Sequence, residues 1–108
     1  MTEYYVDISH TNSSDSEETV YTLKSTVEEP KAAISIIFFN WSNKGYLRVY
    51  HEREKVAEIL VGDGTLNNPY ELELNVDLDV GEELKITLTN HTSGTNASIT
   101  AALKYHIK

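Results

Sequence analysis

The chain has 108 residues, 40% of them hydrophobic and 24% charged, with a net charge of −8 at neutral pH. That composition describes one folded domain, residues 1–108, and excludes a disordered or fibrous chain. There is no cysteine, which excludes disulfides and thiolate metal sites, and the nine Lys and Arg lie scattered among seventeen acids, so neither nucleic acid nor an anionic membrane is an expected partner.

In chain order, Met1 to Tyr5 contain no basic region and no apolar stretch of signal-peptide length, so the expected location is the cytoplasm or a particle assembled there. Glu3 to Ser9 alternate Tyr4, Val6 and Ile8 with Tyr5 and Asp7, the period-two pattern of a strand with one face on a core. His10 to Glu18 hold Asn, Ser, Asp and Glu with no apolar residue and read as a mobile loop. A second strand is expected over Thr19 to Val27, with Tyr21, Leu23, Ser25 and Val27 on one face, ended by Glu28-Glu29-Pro30.

Ala32 to Trp41 are apolar on both faces, which marks a central strand or one whose outer face is covered. Ser42-Asn43-Lys44-Gly45 form a turn in which Gly45 suits a positive φ. Gly45 to His51 and Lys55 to Val61 then read as a hairpin through Glu52-Arg53-Glu54. The helical spacing of Val56, Ile59 and Leu60 keeps a short helix as the alternative there. Gly62-Asp63-Gly64 supply the next turn, and Tyr70 to Leu78, Glu83 to Thr89 and Ala97 to Ile107 give three further alternating segments. The sum is an all-β, antiparallel β-sandwich of about eight short strands, jelly-roll-like.

Chemistry is harder to find on this scaffold. His10, His51, His91 and His106 form no H-x-H or H-E-x-x-H pair, so no metal site is expected. No G-x-S-x-G elbow is present. Triads are recognised by geometry, however, which keeps a small hydrolase with an unrecognised site as a third reading. Glu71, Glu73, Asp77 and Asp79 line one outward face without an interleaved aromatic to hold a sugar ring, and read as a solvated sheet face. The loop from Gly62 to Asn68 offers oxygen ligands to calcium but only one carboxylate, and reads as an ordinary loop. No cofactor is expected. Four Asn-x-Ser/Thr sequons, at Asn12, Asn40, Asn90 and Asn96, have nothing to act through without secretion.

The informative feature is unassigned apolar surface. If Leu47 and Val49 face the core, Tyr46, Arg48 and Tyr50 face outward together, with Val56 and Leu60 across the hairpin. Tyr and Arg are residue types enriched at binding hot spots. Trp41 either joins a binding surface or plugs the end of the core. The strand layout resembles small β-sandwich accessory proteins of viral particles, such as capsid decoration or tail-associated proteins, and also carbohydrate-binding modules. The resemblance implies a non-enzymatic module that assembles with copies of itself or docks on a larger assembly. The alternative is glycan binding, with Trp41, Tyr46 or Tyr50 as the platform.

Overall fold

The computed structural model describes residues 2–62 and 66–108. Eight strands follow one another: β1 (Thr2–Thr11), β2 (Glu18–Lys24), β3 (Lys31–Ser42), β4 (Gly45–His51), β5 (Glu54–Val61), β6 (Tyr70–Asp77), β7 (Glu83–Asn90) and β8 (Ser98–Ile107). They form two four-stranded antiparallel sheets, ordered β1-β8-β3-β6 and β2-β7-β4-β5. Of the consecutive pairs, β4 and β5 alone are hydrogen-bonded neighbours; every other connection crosses between the sheets, as in a jelly roll.

The two inner faces share one core. Ile36, Phe38, Leu103 and Ile99 come from the first sheet, Leu47, Val49, Leu84, Ile86 and Leu88 from the second, and all are essentially without solvent contact. β3 is an inner strand between β8 and β6; Ile36 and Phe38 face the core, while on the other face Ile37 is partly buried and Phe39 stays 51% exposed. The segment over Glu54–Val61 is a strand and not a helix: Val61, Ile59 and Ala57 turn to the core, and Glu52 takes a φ of 59° in the tight turn before it. The last three strands are consecutive in sequence yet not neighbours. β7 belongs to the opposite sheet, and β3 lies between β6 and β8. Alternation states which face is buried; it does not state which strand lies alongside.

Three local expectations change. β2 stops at Lys24, because Ser25 is buried and ties three segments together. Its N–H donates to Glu82 O, its hydroxyl donates to Leu78 O and accepts from the Lys31 N–H, and the chain then turns outward, leaving Val27 76% exposed. The loop before β2 is knitted, not loose: the fully buried Asn12 amide donates to Ser16 O and Leu88 O, and its Oδ1 accepts the Ser14 N–H. In the β3–β4 turn the positive φ falls on Asn43, at 59°. Gly45 is required for another reason: a Cβ there would lie 2.6 Å from Ala97 Cβ and 3.0 Å from Thr89 O.

Candidate functional site

The site begins with the alternation of β4. Leu47 and Val49 are fully buried, so Tyr46, Arg48 and Tyr50 emerge on the outer face of the second sheet. Register supplies their neighbours. Tyr46 pairs with Leu60 and Thr89, Arg48 with Glu58 and Thr87, and Tyr50 with Lys55 and Lys85. Val56 is the extra residue of a bulge opposite Val49 and Tyr50, and Val56 and Leu60 remain 38% and 39% exposed. The structure thus brings five of the six sequence-selected residues onto one surface.

Arg48 is fixed from several directions. Its Nε donates to Glu58 Oε1 at 2.6 Å, its Nη1 donates to the Thr89 hydroxyl at 3.1 Å, and Glu17 Oε2 lies 3.9 Å from Nη1. The guanidinium sits 5.2 Å from the Tyr46 ring centroid, and the His91 ring centroid lies 5.4 Å from that of Tyr46. Lys85 Nζ stands 5.6 Å from the Tyr50 ring centroid, a second cation–π contact in the same rows. Charge-assisted bonding to Glu58 raises the Arg48 pKa further, against the opposing effect of burial, and lowers that of Glu58.

Glu17 is the member that sequence reading missed. It arrives from the loop before β2 and accepts hydrogen bonds from the Tyr50 hydroxyl, at 2.9 Å, and from the Thr87 hydroxyl. The Thr87 bond is the main cause of its lowered pKa; burial opposes it, and Tyr50, Arg48 and Lys85 add to it. Tyr50 is raised in turn, first by burial and then by the bond to Glu17. No local pattern marks Glu17, one acid in a Ser- and Glu-rich loop. Its role depends on the buried Asn12 anchoring that loop.

Trp41 lies apart from this surface. Its ring packs against Phe38 and Tyr70 at centroid distances of 5.5 and 6.2 Å, at the margin of the core. The histidines are separate from one another. His10 of β1 lies 2.8 Å from Glu18 at the start of β2, His51 at the end of β4 lies 2.9 Å from Glu82 of the loop before β7, and His106 buries an Nδ1 without a partner. A shallow cavity of about 270 Å³ opens where β3 and β6 lose register, lined by Ala32, Ile34, Asn75, Asp77 and His106. Asp77 there is engaged by Lys108 Nζ at 2.7 Å. Among the described residues no group of three or more His, Asp or Glu is placed to hold a metal ion. The carboxylate of the loop considered for calcium, Asp63, lies outside the described residues, as do Gly64 and Thr65. No described helix is long and apolar enough to cross a membrane.

Fold and surface together define a small all-β jelly-roll domain with a cross-linked aromatic and arginine strip on one sheet. No protein-family model and no curated protein matches the chain. Among solved structures it is similar to a chain of the "Structure of infectious bursal disease virus Gx strain", at 10% identity and a TM-score of 0.46. The match covers 96% of this chain and 30% of that one.

Proposed function

We propose that the chain is a non-enzymatic assembly module, which docks on a second copy or on a larger protein surface through the outer face of β2-β7-β4-β5. The observation that carries this reading is the pre-organisation of Arg48 between Glu58, Thr89, Glu17 and the Tyr46 ring. Immobilising such a side chain on binding costs about 0.5–1.5 kcal/mol; here that ordering has already taken place on folding. Leu60 and Val56 add exposed apolar surface beside it. The combination of a rigid aromatic–Arg centre with apolar flanks is that of a protein-binding hot spot.

The finer reading is a capsid decoration or tail accessory protein, located in the virion. It is supported by strand order alone, since the jelly roll recurs in viral capsid and lectin domains. Sugar binding is less well served by this surface. Both tyrosine rings carry a cation, and Trp41 is engaged with Phe38 and Tyr70, so no bare stacking platform remains among the selected residues.

Replacing Arg48 or Tyr50 by Ala is expected to weaken assembly by about 1–3 kcal/mol, with a smaller change in melting temperature than in association. Light scattering at micromolar concentration and capture on a candidate particle measure the first quantity, thermal melts the second. Unchanged assembly and capture in both variants would remove the strip from the proposal. Retention on a glycan array that Tyr46→Ala abolishes would replace it with carbohydrate binding.

A further inference from the structure

The two sheets have four edge strands, β1 and β6 in one, β2 and β5 in the other. An edge exposes a row of backbone N–H and C=O groups, and natural sheets blunt it with bulges, charges or a covering segment. Three of these edges are interrupted. The ladder of β2 shifts between Thr19 and Tyr21, that of β5 opposite Val49 and Tyr50, and that of β6 opposite Ala33 and Ser35, where Asn75 also takes a φ of 51°. β1 has no such break. Its ten residues pair with β8 in unbroken register from Thr2↔Ile107 to Thr11↔Ser98, and none is proline.

The rung after Thr11 shows which backbone groups are free. The Asn12 N–H donates to Ala97 O at 2.8 Å, and hydrogen-bonded pairs alternate along an antiparallel ladder. Even-numbered residues of β1 therefore turn their N–H and C=O toward β8. Glu3, Tyr5, Asp7, Ser9 and Thr11 turn theirs to the open edge. Among the described residues no backbone–backbone hydrogen bond outside the β8 ladder reaches Thr2–Thr11.

We propose that this edge pairs antiparallel with β1 of a second copy about a two-fold axis at Val6, joining two four-stranded sheets into one of eight strands. The inference concerns a different sheet from the Arg48 face and does not rest on that reading. Charge and overlap together select the register. Pairings centred on Tyr4 or Ile8 avoid like charges but pair only five or seven residues of Thr2–Thr11, against nine when centred on Val6. Odd residues share the outer face, so odd must face odd. Centred on Tyr5, the pairing sets Glu3 against Asp7 of the second copy; centred on Asp7, it sets Asp7 against itself. Like charges directly opposite are destabilising.

Centred on Val6, Glu3 faces Ser9, Asp7 faces Tyr5 and Tyr4 faces Ile8. Tyr5 carries Lys104 of its own protomer 5.9 Å from its ring centroid, and Lys104 also pairs with Glu3 at 3.4 Å. Asp7 thus meets a tyrosine capped by a cation, while Glu3 is already compensated within its own chain. The Glu3–Ser9 and Tyr5–Asp7 rungs, each occurring twice about the axis, satisfy the open backbone groups of Glu3, Tyr5, Asp7 and Ser9. The contact also brings a neighbour against Tyr5, which is 58% exposed.

The absence of native cysteine lets one thiol report the register. Val6→Cys places the thiol opposite its own copy at a non-hydrogen-bonded position, where Cα atoms lie ~4.5 Å apart, inside the disulfide range of ~4.4–6.8 Å. Tyr4→Cys is more exposed but faces Ile8 of the second copy. Under mild oxidation Val6→Cys is expected to form a covalent dimer at least about tenfold faster than Tyr4→Cys, each tenfold being ~1.4 kcal/mol. Adding Asp7→Lys, which sets two cations against each other and leaves the strand backbone intact, should suppress that cross-link; adding Arg48→Ala should not. Cross-linking of Val6→Cys no faster than of Tyr4→Cys, or unaffected by Asp7→Lys, overturns the proposal. Loss of the cross-link with Arg48→Ala would place the contact on the other sheet and overturn it as well.

Discussion

The Glu17 carboxylate sits where three segments meet, accepting from Thr87 on β7 and Tyr50 on β4 while facing Arg48 Nη1 at 3.9 Å. Its pKa is lowered in the folded state, as are those of Glu18, bonded to His10, Glu58, bonded to Arg48, and Glu82, bonded to His51. A carboxylate lowered on folding stabilises the protein above its ordinary titration range, and that contribution is lost as pH falls through the lower folded value. The melting temperature is therefore expected to decline as pH falls through the ordinary carboxyl pKa of ~4.3 and on through the lower folded values. Glu17→Gln keeps the shape and removes the charge. It should lower stability at pH 7 by about 1 kcal/mol or less, since the group is screened by solvent, and should flatten the acid limb of the profile. Melts of both proteins across that range decide the matter; superimposable acid limbs would show that Glu17 is not among the groups responsible.

The strands differ in how far sequence alone describes them. β4 was legible because period two leaves Tyr46, Arg48 and Tyr50 no choice once Leu47 and Val49 are inside. Glu17 was not, because a loop residue acquires its position from distant anchors, here the bonds from the Asn12 amide to Ser16 O and Leu88 O. By alternation with Leu84, Ile86 and Leu88, Thr87 belongs to the outward face of β7, yet it is 2% exposed, with Glu17 bonded to it. β1 read as one more half-buried strand. Its open edge emerges only from comparison with the bulged edges of β2, β5 and β6, and bulges leave little trace in an apolar pattern. Position within a sheet also grades the cost of a buried charge. Ile86 is fully buried on an inner strand, whereas Leu74 is partly buried on edge strand β6. Ile86→Asp is expected to abolish folding, since desolvation costs several kcal/mol, about the size of the whole folding stability. Leu74→Asp should melt early but still fold, and Glu73→Gln should stay near wild type. Thr87→Ser, which keeps the hydroxyl for Glu17 but deletes a buried methyl group, should cost about 1 kcal/mol. Circular dichroism with thermal melts ranks the four; Leu74→Asp as damaging as Ile86→Asp would mean that the β6 edge is packed more tightly than its exposure indicates.

At the scale of the whole molecule, the two docking surfaces lie on different sheets, the Arg48 strip on β2-β7-β4-β5 and the open edge on β1-β8-β3-β6. A contact between identical surfaces closes on two copies. Two different contacts of that kind on one chain do not close at a pair, so occupation of both by further copies builds a string. The net charge of −8 opposes such growth at low ionic strength. Salt shortens the Debye length from ~30 Å at 0.01 M to ~8 Å at 0.15 M, so the native mass of the wild type should rise over that interval. Asp7→Lys should then stop growth at whatever the Arg48 face supports, Arg48→Ala should stop it at the β1 pair, and the double variant should remain monomeric. If the Arg48 face instead engages a foreign particle, Arg48→Ala leaves the native mass unchanged and weakens capture on that particle, while Asp7→Lys lowers the native mass and leaves capture unchanged. Multi-angle light scattering of the four proteins at the two salt concentrations, with particle capture measured in parallel, separates these cases. A double variant that assembles like the wild type would mean that the operative surface is neither of these, and attention would pass to the outer face around Phe39, the exposed aromatic of β3.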